Sequence, residues 1–125
     1  PATCLRRVKV LVDAGVVERR VALLSAERLG RGLTAIVEVV LDRQGAEALA
    51  AFEARAVADG AVRQCHRVSP GPDFILVVEV ADMAAYEALV ERLFTQDANV
   101  RNVKAFFSVR RAKFETRIEL PAVSA

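Results

Sequence analysis

Side chains capable of chemistry are sparse in this chain, and they do not converge on a catalytic pattern. His66 is the single histidine. Strand alternation sets it on one side with Gln64 and Val68, open either to a structural role or to contact with a ligand, a proton or a haem. Cys65 points the other way and reads as a small core residue. Cys4 and Cys65 are far apart in sequence, with no Cys-x-x-Cys spacing. That usage argues against a zinc site and a disulfide framework, and fits a reducing cytoplasm. Glu47, Glu53, Glu87 and Glu91 fall on the solvent sides of helical stretches, where carboxylates serve as surface charge. There is no Gly-rich phosphate loop, Ser-His-Asp pattern or metal-ligand cluster. An enzyme is not expected, and neither is a cofactor or a metal.

The cations do cluster. Arg6, Arg7, Lys9, Arg19 and Arg20 all lie near the N-terminus, while the formal net charge of the whole chain is only +2. The electrostatic footprint is therefore local. Arg6, Arg7 and Lys9 belong to a stretch that reads as a helix over residues 4–15, with Thr3 as its N-cap and Gly15 as its stop. Leu5, Val8, Leu11 and Val12 share one face, and the cations point mostly elsewhere, toward solvent or phosphate. A helix this short needs partners for its apolar stripe. Nothing precedes it to supply them, so the chain is expected to be the back end of a longer protein.

A length of 125 residues suits one compact domain with a short appendage, and a hydrophobic content of 54% supports a sizeable core with apolar surface to spare. No apolar run approaches the roughly 20 residues needed to cross a bilayer, and no signal peptide is evident, so a cytoplasmic protein is expected.

The elements follow from periodicity. Residues 16–24 read as a short strand or extended linker, closed by a turn over 25–30. A strand is expected over 33–41. A helix over 46–57 places Leu49, Phe52, Ala56 and Val57 on one face. Residues 62–68 and 74–81 read as strands joined by the turn-forming Ser69-Pro70-Gly71-Pro72-Asp73, hence an antiparallel hairpin. Asp82 caps a second helix, with Tyr86, Leu89, Val90, Leu93 and Phe94 as its buried stripe. A last strand is expected over 100–112, followed by an extended tail. The order is βαββαβ, an α+β, ferredoxin-like layout with both helices on one face. The expected division is 1–24, appendage and linker, and 25–125, folded domain.

The face without helices is informative. The first strand is apolar on both sides, Val37 and Val39 against Ile36 and Val40. The third strand repeats this, with Leu76, Val78 and Val80 against Ile75 and Val77. One helix layer covers one face, so Ile36 and Val40 are expected to mark a sheet-to-sheet homodimer interface.

Thr3-Cys4-Leu5-Arg6-Arg7-Val8-Lys9, with Leu11 and Gly15-Val16-Val17 after it, resembles the recognition helix of the leucine-responsive/asparagine-regulator (Lrp/AsnC) family of prokaryotic transcription factors. Further signposts follow in the family's order: Gly32 to Val37, Cys65-His66 with Val68-Ser69, Asp73-Phe74 with Leu76, Ala81-Asp82-Met83 with Tyr86, and Lys113 with Thr116 and Leu120-Pro121. The resemblance covers nearly the whole chain. It implies a ferredoxin-like effector domain behind the remnant of a winged helix-turn-helix, in a DNA-binding regulator of amino-acid metabolism. It also implies dimers joined through their sheets, assembling to tetramers or octamers, with no membrane role. Thr3, Arg6, Arg7 and Lys9 then become the DNA-facing residues. In the family the loop after the second strand helps hold an amino acid, backbone N–H groups taking its carboxylate and an Asp its ammonium. Ser69 and Asp73 match that pattern. Pro70 stands where the family has Gly, and Gly71 falls one position later, so the turn is redrawn. Arg67, beside the loop on the second strand, is open to pairing either with a carboxylate or with an acid of a partner subunit. The remainder of the family's pocket lies between dimers and, carried over by position, comprises Met83, Thr95, Phe106, Phe107 and Ser108. The two phenylalanines narrow it toward a small effector, while core packing is an equal alternative for Met83 and Phe106. Proteins similar to this family also act as sirohaem decarboxylases, using a histidine and basic residues, and His66 with Arg67 keeps that alternative open. A third alternative is a stand-alone effector domain that modulates full-length relatives.

Overall fold

The computed structural model describes residues 2–121. Helix α1, Ala2–Asp13, comes first, followed by an extended, exposed stretch and a turn over residues 26–30. Then come β1, Leu33–Leu41; α2, Ala46–Ala58; β2, Val62–Arg67; β3, Phe74–Val80; α3, Met83–Val90; and β4, Val100–Phe107. A π-helical turn, Glu91–Thr95, continues α3. The four strands form one antiparallel sheet in the order β2-β3-β1-β4. The βαββαβ order and this strand order together make the ferredoxin-like layout expected above.

One core lies between the sheet and the helices. Ala35, Val37, Val39 and Leu41 of β1 and Phe74, Leu76, Val78 and Val80 of β3 meet Phe52 and Ala56 of α2 and Tyr86 and Leu89 of α3. Phe52 sits at the centre, its ring 4.9 Å from that of Phe74 and 6.3 Å from that of Phe94. Leu93 and Phe94 are consecutive and both buried; the wider π-helical turn lets both face the sheet. Arginines fasten the helices to each other. Arg55 of α2 donates to the carbonyls of Arg92 and Leu93 and to the Asp97 carboxylate, while Arg92 makes two hydrogen bonds to Asp59, at 2.5 and 3.0 Å. That guanidinium holds the Asp59 carboxyl below the usual carboxylate range, against the opposing effect of burial.

Several boundaries differ from the sequence expectation. Thr3 lies inside α1 rather than capping it, because the helical run already includes Ala2. Gly15 does end the segment, at φ 79°. Residues 17–24 take the linker alternative, with no strand partner. Val57 is 66% exposed, because α2 presents Phe52 and Ala56 to the sheet and turns Val57 away. The last strand stops at Phe107 instead of residue 112. Its neighbour β1 begins at Leu33, and beyond the Ser108 N–H bond to the Thr34 carbonyl there is no ladder to extend. Asp82 does cap α3, accepting from the Ala85 N–H at 2.9 Å.

Candidate effector site and DNA-facing helix

The hairpin between β2 and β3 is held by one residue. Asp73 accepts the Leu41 N–H on its carboxylate at 2.7 Å and the Gln44 side-chain amide at 3.3 Å. Its own N–H donates to the Val39 carbonyl at 2.9 Å, and its carbonyl accepts from Val68. The β1–β3 ladder ends at the Val39–Phe74 pair, so Leu41 has no further β3 residue opposite it. The Asp73 carboxylate supplies the acceptor that a longer strand would have offered. Gly71 follows the Ser69-Pro70 step at φ 114°, a conformation that L side chains rarely adopt, and so allows the chain to turn. Ser69 and Gly71 are exposed at the tip. Arg67 is already engaged within the chain, pairing with Glu53 at 2.6 Å and lying over the Phe74 ring.

An open groove of about 870 Å³ lies beside this hairpin at the start of α2, lined in part by Gln44, Ala48, Phe52, Asp97 and Asn99. Asn99 accepts from the Arg43 N–H and donates to the Arg43 carbonyl, fixing the groove's rim. Gln44 links groove and hairpin through Asp73. Sequence reasoning missed Gln44 and Asn99. Neither sits in a motif, and only the end-to-end approach of β1 and β4 brings Asn99 to Arg43.

The remaining expected pocket residues are not beside the hairpin. Met83 is exposed at the start of α3, one turn before Tyr86, whose ring meets Phe107 edge-on at 5.0 Å. Phe107 is paired with Ala35 and so lies on the helix side of the sheet, whereas Phe106 is paired with Ile36 on the open side. Met83, Phe106, Phe107 and Ser108 occupy the sheet end where β1 starts; Arg67, Ser69, Gly71 and Asp73 occupy the end where it finishes. Along β1 the first group lies level with Thr34–Ile36 and the second with Val39–Leu41, a separation of about 10–24 Å. Thr95 is exposed, at the close of the π-helical turn. Within one chain these residues form two clusters rather than a single pocket.

His66 faces the open side of the sheet, opposite Ile75, with its Nε2 3.1 Å from the Gln64 amide oxygen. Cys65 packs against the core as expected. Burial and the nearby Glu53 push its thiol up, which makes it a poor nucleophile. Among the described residues no group of three His, Cys, Asp or Glu is placed to hold a metal ion, and no helix is long and apolar enough to cross a membrane.

On α1, Thr3, Arg6 and Arg7 stand at helical i, i+3, i+4 spacing and all are exposed; Lys9, also exposed, lies next to Arg6 around the helix. Leu5 is 70% exposed and Leu11 42%, so the apolar stripe is open as well.

Three comparisons bear on this geometry. Residues 34–118 match the model of the Lrp/AsnC ligand binding domain. An uncharacterised HTH-type transcriptional regulator of Haemophilus influenzae is 34% identical over 119 residues, 95% of this chain and 71% of that protein. The leucine-responsive regulatory protein of Rhizobium meliloti is 35% identical, over 94% of this chain and 75% of its own length. A transcriptional regulator of Neisseria meningitidis, solved in complex with L-Met, superposes with a TM-score of 0.84 at 31% identity, over 93% of this chain and 75% of that one. The matched domain and relatives at a third identity place the chain in the Lrp/AsnC family of transcriptional regulators.

Proposed function

We propose that this chain is the sensing and assembling part of a DNA-binding regulator of amino-acid metabolism, and that its effector is an amino acid or a close relative. The observation that carries this reading is the hairpin at Ser69–Asp73, set in a fold shared with a relative that was solved holding L-Met. The exposed Gly71 turn offers backbone donors for a carboxylate. Asp73 engages Leu41 and Gln44 through one oxygen, Oδ2, and its other oxygen is available to an ammonium. The second cluster, around Met83 and Phe107, then closes the pocket from another copy, since one chain keeps the two groups at opposite sheet ends.

The open sheet face supports that arrangement. On the open face Val77, Ile36 and Phe106 form one cross-strand row, and Ile75, Glu38 and Lys104 the next. Ile36 is 42% and Phe106 45% exposed in the single chain. A second copy laid on this face removes their apolar surface from water. Thr3, Arg6, Arg7 and Lys9 of α1 provide the cationic side for phosphate contact, in a soluble, cytoplasmic regulator. The relatives named as transcriptional regulators favour this over the sirohaem-decarboxylase alternative.

The test is a thermal-shift screen against the protein amino acids, L-methionine included. A ligand at one hundred times its Kd stabilises the folded state by about 2.7 kcal/mol. A rise in Tm with at least one amino acid is expected; unchanged melting with all of them would remove the sensing role.

A further inference from the structure

Residues 108–121 leave β4 as an extended segment with no helix or strand of their own, and none of residues 109–121 takes part in a backbone–backbone hydrogen bond with another described residue. Their sequence is nonetheless that of a strand. Phe114, Thr116, Ile118 and Leu120 alternate with Lys113, Glu115, Arg117 and Glu119. Phe114 is 56%, Ile118 82% and Leu120 80% exposed. A segment with one apolar edge row and open backbone groups is a template for pairing.

The charges say with what. They run plus, minus, plus, minus along the polar side. Laid antiparallel on an identical segment about a two-fold axis at Thr116, Lys113 falls opposite Glu119 and Glu115 opposite Arg117, while Phe114 falls opposite Ile118. Every charge meets its opposite and every apolar residue an apolar one. The free edges of the sheet do not offer this match. The charged residues of β2 are Arg63 and Arg67 and those of β4 are Arg101 and Lys104, all basic, so Lys113 and Arg117 would meet no acid there. We propose that residues 113–119 pair with the same residues of a second copy, forming an antiparallel two-stranded ribbon with Thr116 on its dyad. This contact is separate from the sheet face and does not depend on the effector reading.

A two-stranded ribbon is weak by itself, so the test traps it covalently. In a Cys4→Ser, Cys65→Ala background, Thr116→Cys places two thiols directly opposite, at a Cα separation of about 4.5–5.5 Å, within disulfide reach. Lys113→Cys places its pair about 20 Å apart. Mild oxidation at micromolar protein is expected to convert most of the Thr116→Cys protein to a disulfide dimer and little of the Lys113→Cys protein. Equal rates for the two, or no dimer from either, would overturn the proposal. Charge exchange gives the second reading. Glu115→Lys in the Thr116→Cys protein is expected to slow crosslinking several-fold, and adding Arg117→Glu to restore it. Rescue by Arg20→Glu instead would overturn self-pairing and put the linker of residues 17–24 in the tail's place.

Discussion

The Asp73 carboxylate reaches across the end of the sheet to the backbone N–H of Leu41, 32 positions away in sequence, at 2.7 Å. A residue that the family resemblance marks as an effector anchor is thus also the clasp of its own hairpin. The two roles can be separated by substitution. Asp73→Ala removes the acceptor and leaves the N–H of buried Leu41 unpaired, at a cost of about 1–2 kcal/mol in chemical denaturation. Asp73→Asn keeps an oxygen for Leu41 but loses the charge. It is expected to retain most of the stability while lowering amino-acid affinity roughly tenfold or more. Equal losses of stability for both variants would contradict the clasp.

The open sheet face gives a second expectation. Ile36→Asp places a carboxylate in the centre of the Val77–Ile36–Phe106 row, where a mating copy would bury it without a partner. Sedimentation is expected to show monomers or aggregates in place of the parent assembly. A variant that sediments like the parent would refute this face.

The proposed DNA contact of α1 is tested by salt. In the regulator with a whole helix-turn-helix, Arg7→Ala is expected to weaken binding to every operator alike. It should also flatten the salt dependence by about one unit if Arg7 neutralises one phosphate. Unchanged affinity across sequences would take this helix out of the interface.

The Asp59–Arg92 pair predicts a pH dependence. The carboxyl titrates below its ordinary value of 3.8 because Arg92 hydrogen-bonds its charged form. A depressed pKa contributes stability that is present above the unfolded value and fades as pH falls through the folded one. Asp59→Asn is therefore expected to cost about 0.5–1 kcal/mol near neutral pH, since Arg92 is half exposed. The difference from the parent should shrink as the pH drops below about 3.8. A difference that stays constant down to acid pH would assign the loss to packing.

Much of this molecule is legible in its sequence because the signals are local. Alternation in β1 and β3, the Ser69–Asp73 turn and the Asp82 cap each depend on neighbours a few residues away, and together they specify the βαββαβ order. What escaped the sequence depends on distant partners. The apolar alternation continues past Phe107, but a strand needs a neighbour, and β1 has none to give there. Val57 fits the helical stripe by number, yet α2 is rotated by the packing of Phe52 between Phe74 and Phe94. The Asp73–Leu41 bond and the Arg43–Asn99 pair join residues that only the folded sheet brings together. The resemblance already implied that the second half of the pocket lies between dimers, and one chain does not bring the two halves together. The sheet's length separates them.

Titration calorimetry of L-methionine and the other protein amino acids into the parent protein and its Asp73→Asn variant tests the central claim most directly. Saturable heat with at least one amino acid, and at least roughly tenfold weaker binding in the variant, is the predicted result. No heat from any of them, or binding that ignores the loss of the Asp73 charge, would contradict an amino-acid sensor built on this hairpin.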